Sequence, residues 1–128
     1  MIRFPYLRIG NDSYPVIPIR LYGPDGNVLT RALLDSGARI SLFQADLAQA
    51  IGVDVESGEP IYLEGIGGRI LGYTHTLTYE INGHTFIGRI AFSRELLISF
   101  NLPGRHGFFE NFAVVFDESR QEIRLLTE

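Results

Sequence analysis

Cysteine is absent from this chain, which excludes a disulfide framework and a thiolate metal site. Lysine is absent as well. All 11 basic residues are arginine, and 15 acidic residues outnumber them to give a net charge of −4. A weakly acidic chain with no basic stripe is a poor match for a phosphate backbone, so nucleic acid is not an expected partner. Long hydrophobic runs are also lacking. No stretch approaches the ~20 apolar residues that span a bilayer, and the N-terminus has no apolar core of the kind a secretory signal needs. A membrane partner is therefore not expected, and a cytoplasmic location is. Histidine is scarce, and His75, His84 and His106 show no metal-ligand spacing, so no metal and no other cofactor is expected. What remains, 128 residues with 45% apolar and 20% charged, suits a single domain over residues 1–128 with a real core.

The residues that are present alternate in short runs between turn signals. Residues 3–9 read as a strand broken by Pro5, which suits a sheet edge. Residues 16–22 alternate apolar and polar, Gly23-Pro24-Asp25-Gly26-Asn27 turns the chain, and residues 28–34 return as a second strand. Ser41 with Gln44 three residues on fits a capping box, and Phe43, Leu47 and Ile51 follow at helical spacing until Gly52 stops them. Residues 61–64 and 69–81 flank the tip Gly65-Ile66-Gly67-Gly68; Asn82-Gly83 then turns the chain into a partner strand over 84–92. The glycine-rich tip is not a phosphate loop, since no Lys-Ser/Thr and no helix follow it. Residues 106–112 allow one or two helical turns with Phe108, Phe109 and Phe112 inward, and a last hairpin joins 113–116 to 122–126. The class is all-β with one or two short helices.

Within this pattern one stretch carries chemistry. Leu33-Leu34-Asp35-Ser36-Gly37-Ala38 brings a single carboxylate to the end of an apolar strand, with a small turn immediately after it. Such a setting fixes the direction of an acidic side chain. Ser36 offers a hydroxyl to nearby backbone, Gly37 lets another backbone come close, and Ala38 keeps the floor of the site flat. The same tripeptide is also an ordinary Asx turn of the sort that ends many strands.

Three motifs in order, Leu-Leu-Asp-Ser-Gly-Ala at 33–38, Gly-Ile-Gly-Gly at 65–68 and Asn-Leu-Pro-Gly-Arg at 101–105, resemble those of the retropepsin-like aspartic proteases over residues 28–112. That resemblance implies a closed acid-protease barrel with a flap hairpin. It implies a homodimer, because the chain has one Asp-Ser-Gly where a two-lobed enzyme has two. It implies an endopeptidase in which two Asp35 carboxylates, one per subunit, activate a water, with Ser36 locking the two loops and Gly37 receiving the substrate backbone. Gly65 and Ile66 would close over an extended peptide or protein substrate. Leu33, Ala38, Ile40, Leu63, Phe100 and Leu102 match the family's pocket positions and imply an apolar preference, although plain core packing would also account for them. Where the family often has an Asp that pairs with the Arg of Gly-Arg, this chain has Arg39. Arg105 is therefore expected to find another acceptor: Glu110, a backbone carbonyl or the second chain. Glu64 replaces a flap glycine; a carboxylate there either favours basic residues in the substrate or is merely solvated, and the second is the expectation. The alternative reading is a non-catalytic module of the same fold that binds peptides or dimerises.

Overall fold

The computed structural model describes residues 1–65, 68–96 and 101–127. Among the described residues eleven strands carry the fold, in the order β1 (Ile2–Pro5), β2 (Leu7–Ile9), β3 (Asp12–Tyr14), β4 (Val16–Gly23), β5 (Gly26–Leu33), β6 (Ser41–Gln44), β7 (Glu59–Gly65), β8 (Gly68–Ile81), β9 (His84–Ser93), β10 (Ala113–Asp117) and β11 (Glu122–Leu126). One helix, α1 (Ala45–Ala50), follows β6, and 3-10 turns lie at Val55–Ser57 and Phe109–Asn111. The fold is mostly β-sheet, and among the described residues no helix is long and apolar enough to cross a membrane.

The largest sheet runs β5-β4-β8-β9-β6, with β7 also paired to β8. Strand β8 is its spine. Rich in β-branched and aromatic residues, it is long enough to pair twice along its length. Its first half meets β7, from Glu59↔Thr74 to Gly65↔Gly68, and its second half meets β9, from Tyr73↔Phe92 to Ile81↔His84. The β8–β9 turn is the expected Asn82-Gly83 pair, both at positive φ (50° and 82°), the conformation that selects these two residues. Pairing of β6 with β9 is parallel. Two further sheets, β1-β11-β10 and β2-β3, complete the chain. Pro5 sits in β1, which is an edge strand as expected.

Alternation decides what is buried. Ile17, Ile19 and Leu21 point inward from β4 and are almost fully enclosed. They meet Phe43, Ile51, Ile81, Phe92, Ile123 and Leu125 in one core. Around Phe108 an aromatic group collects, with Tyr79 at 6.1 Å and Phe112 at 5.0 Å between ring centroids, and Phe86 at 4.4 Å from Phe112. Burial pushes the Tyr79 hydroxyl up to about 12, against the opposing effect of its Asn111 hydrogen bond.

The capping box does not form. Ser41 and Gln44 belong to β6, and α1 begins only at Ala45, with no side-chain cap from Gln44. Parallel pairing with Ile90–Ser93 claims these four residues before the helix can start. Phe43 is a buried strand residue, while Ala48 and Ile51 do bury the helical face. The helix ends at Ala50 with Ile51 as its cap, and Gly52 at φ +80° follows as the stop the sequence indicates.

Candidate active site

Three successive backbone amides fix the end of β5. Leu33 N–H donates to Asn101 O at 2.8 Å, Leu34 N–H to Pro15 O at 3.0 Å, and Asp35 N–H to Pro103 O at 3.1 Å. Asp35 thus leaves the sheet between two other chain segments, and it is held on both sides. Its carboxylate Oδ1 accepts the Gly37 N–H at 2.9 Å, and its carbonyl accepts the Ala38 N–H at 3.1 Å. The Asx turn therefore forms, and it does the orienting: one carboxylate oxygen is held by a backbone amide, and Oδ2 has no hydrogen-bond partner among the described residues. In the single chain Asp35 is half-buried, and Ser36 and Gly37 are exposed. A Cβ added at Gly37 would meet only Asp35 Oδ1, at 3.2 Å, so this side of the loop lies open to an approaching backbone.

Residues 101–107 brace the loop from beneath. Ala38 and Arg39 carbonyls accept the Arg105 and His106 amides, each at 2.9 Å, and Leu42 and Leu102 exchange two backbone bonds at 2.8 and 2.9 Å. Gly104 is required here, because a Cβ would stand 2.7 Å from the carbonyl oxygens of both Ala38 and Ile40. Two polar side chains complete the brace, and the sequence reading did not assign them to it. Buried Ser41 donates to His106 O at 2.7 Å and accepts the Gly104 N–H at 2.9 Å. Buried Asn101 accepts the Gln44 N–H at 2.9 Å and donates to Thr30 Oγ1 and Arg31 O at 3.0 Å. The signal that could have found Asn101 was its place at the head of the Asn-Leu-Pro-Gly-Arg motif: a polar residue entering an apolar run needs several partners once buried.

A cavity of about 450 Å³ lies between this loop and the β7–β8 hairpin. Of the residues expected to contact substrate, Ala38, Ile40 and Leu63 line it together with Gly37. Arg39, Leu42, Tyr62 and Glu64 also line it, none of them expected there. Leu33 and Leu102 are half-buried and bond through their backbones to Asn101 and Leu42, which suits the packing reading better than a pocket wall. Gly65 pairs with Gly68 at the hairpin end. Ile66 and Phe100 lie outside the described residues. Arg69 stacks over the Tyr62 ring at 3.9 Å, stiffening the arm of the hairpin.

Residues 17–92 match the model of the aspartyl protease family. The chain belongs to that family. The match covers β4 from Ile17 on, the Asp-Ser-Gly turn and the whole β7–β8 hairpin, and it agrees with the retropepsin-like resemblance of the first two motifs. No curated protein shows a significant match to the chain.

Within this aspartyl protease chain the described residues offer the Arg105 guanidinium no acceptor. Glu110 does not pair with Arg105. It accepts the Gly107 N–H at 2.7 Å and lies 3.5 Å from His106 Nδ1. The Gly107 bond, ahead of His106, holds the Glu110 carboxyl below its usual range. Arg39 and Arg105 are both exposed, and neither guanidinium has a hydrogen bond or ion pair among the described residues.

Proposed function

We propose that this chain is half of a homodimeric aspartic endopeptidase, a single domain over residues 1–128 that supplies one Asp35 to a shared pair. The observation that carries this reading is Asp35 itself. It is fixed through its own backbone and through one carboxylate oxygen, it stands at an exposed turn, and it lies beside a cavity roofed by a hairpin. A carboxylate so held keeps Oδ2 available to a group from outside its own chain. Two of them brought close together cannot both ionise easily, so they share one proton. The ionised Asp35 takes a proton from a water whose oxygen adds to the peptide carbonyl carbon, and the protonated Asp35 gives its proton to the carbonyl oxygen. On collapse the Asp35 that took the water's proton gives it to the leaving amine, the other Asp35 recovers a proton from a hydroxyl of the adduct, and the C–N bond breaks to leave a carboxylic acid and an amine. Neither a metal nor another cofactor enters these steps.

The other site residues take supporting roles in the same scheme. Ser36, exposed at the turn, is available to bond across the two-fold axis, and the Gly37 carbonyl to receive the substrate backbone. The β7–β8 hairpin serves as a flap whose tip, Gly65 and Ile66, adds main-chain bonds to an extended peptide. Ala38, Ile40 and Leu63 give the cleft its apolar lining, and Leu33, Phe100 and Leu102 support it. Closure of the sheet into a barrel is supported by isolated bridges from both edge strands, Ala32↔Asn101 and Leu42↔Leu102, to the same short segment.

The test is whether the purified chain cuts a denatured protein between pH 4 and 7, and whether pepstatin stops it. Pepstatin-sensitive cleavage is expected. Tight binding of extended peptides with no cleavage at any pH would instead favour a non-catalytic binding module.

A further inference from the structure

We infer that Arg39 is a specificity residue: it selects substrates with an acidic side chain beside the scissile bond. The inference rests on the endopeptidase reading above. Arg39 and Ile40 form a wall shared by two cavities, the one of about 450 Å³ beside the Asp35 turn and a second of about 400 Å³ bounded also by Ile61, Thr74 and Arg89. The Arg39 backbone is fixed by the His106 amide, so its side chain projects from a firm base. The charges around it differ in one respect. In the second cavity Arg89 is already bonded to Glu59 and Thr74, and His106 and Glu110 face each other. Of the two arginines on this cavity, Arg39 alone has no partner among the described residues.

Position decides which side a ligand carboxylate takes. In the first cavity Glu64 stands on the hairpin wall, and its charge repels a second carboxylate. In the second, Ile40 and Ile61 offer apolar surface to the methylenes of a glutamate, Arg39 adds a guanidinium with no partner among the described residues, and the carboxylate on that wall, Glu110, is already engaged by the Gly107 amide and faces His106. An extended peptide lying past Asp35 sends alternate side chains to opposite sides, so one residue near the cut can reach into this second space. Arginine suits the role because its fork of donors matches a carboxylate in geometry.

The experiment uses paired fluorogenic peptides with an apolar scissile pair, carrying Glu or Gln at each flanking position in turn. The quantity read is the Glu/Gln ratio of kcat/KM within one protein, which cancels differences in folding and in active fraction. For the native chain the ratio should exceed ~10 at one position, as a charge-assisted hydrogen bond is worth. It should fall to near 1 in Arg39→Gln and below 1 in Arg39→Glu. A ratio near 1 at every position of the native protein, or the same ratio in Arg39→Gln, overturns the inference. If no peptide of either series is cut, the endopeptidase reading fails instead. Fluorescence anisotropy of the same labelled peptides then decides the role of Arg39: the Glu form binding more tightly to the native chain and equally to Arg39→Gln supports it, and equal binding to both refutes it.

Discussion

At the scale of single residues, the site depends on a few atoms with no room to spare. Gly104 lies against the carbonyl oxygens of Ala38 and Ile40, so Gly104→Ala should push the Asp35 loop outward. We expect a loss of about 1–3 kcal/mol, the usual result of forcing extra volume into a packed site. Activity per folded molecule should fall further, since a small misplacement of a reacting group is costly. Urea denaturation and specific activity measured on the same samples check both, and an unchanged midpoint would mean that the brace is not rigid. The Asp35 turn was legible in the sequence as a turn, because Asp-Ser-Gly ends a strand through the Asp35 carboxylate and the Gly37 amide, and only its order with two further motifs marked it as a candidate site. Ser41 was misread. Its local spacing to Gln44 fits a helix cap, and only the fold reveals that a segment more than sixty residues away supplies both of its partners. Asn101 was missed for the same reason, since its partners lie on β5 and at the end of β6.

At the scale of elements, two hairpins make separate predictions. The β7–β8 hairpin overhangs the cavity, and its glycine tip is expected to let it open and close. Replacing Gly65 and Gly67 with valine should lower turnover with little change in melting temperature, since β-branching stiffens the tip. Stopped-flow rates and thermal melts on the double variant decide the matter, and unchanged turnover would leave the tip as a plain turn. The β10–β11 hairpin is closed by charge. Asp117 accepts hydrogen bonds from the Arg124 guanidinium at 3.1 Å, the Arg120 amide at 3.1 Å and the Ser119 hydroxyl at 2.9 Å. These bonds, Arg124 foremost, hold its carboxyl far below the usual range. A carboxyl depressed in the folded state adds stability above its unfolded value of ~3.9, and that stability is lost as pH falls below it toward the folded value. Asp117→Asn should therefore melt lower than the native chain at pH 7, with the gap closing between pH 4 and pH 2. A gap independent of pH would contradict this. Strands and turns were readable because alternation and Asn-Gly or Pro-Asp-Gly signals are local. The start of α1 was not, because parallel pairing of β6 with β9 overrides a local cap signal.

At the scale of the whole molecule, the central claim is that one chain is half an enzyme. The β class could be read from alternation and turn signals and the family from three ordered motifs, whereas the tie of both sheet edges to residues 101–102 depends on contacts that no local pattern encodes. A symmetric pair places identical turns at one axis, and the exposed Asp35 turn is the feature such a pairing would use. If each carboxylate has its own role in a turnover, half a pair is useless. The direct measurement joins two copies by a flexible linker, so that one protein can hold an intact Asp35 beside an altered one. With both intact the tethered protein should be active and less sensitive to dilution than the free chain. With Asp35→Asn in one copy only, the fold should persist, because the amide is nearly isosteric and still accepts a hydrogen bond. The initial rate on one fluorogenic apolar peptide should nevertheless fall by ~10²–10⁴, the usual worth of positioned acid–base help, with circular dichroism confirming the fold. A rate near half that of the intact tethered protein would show two independent sites and contradict the shared pair.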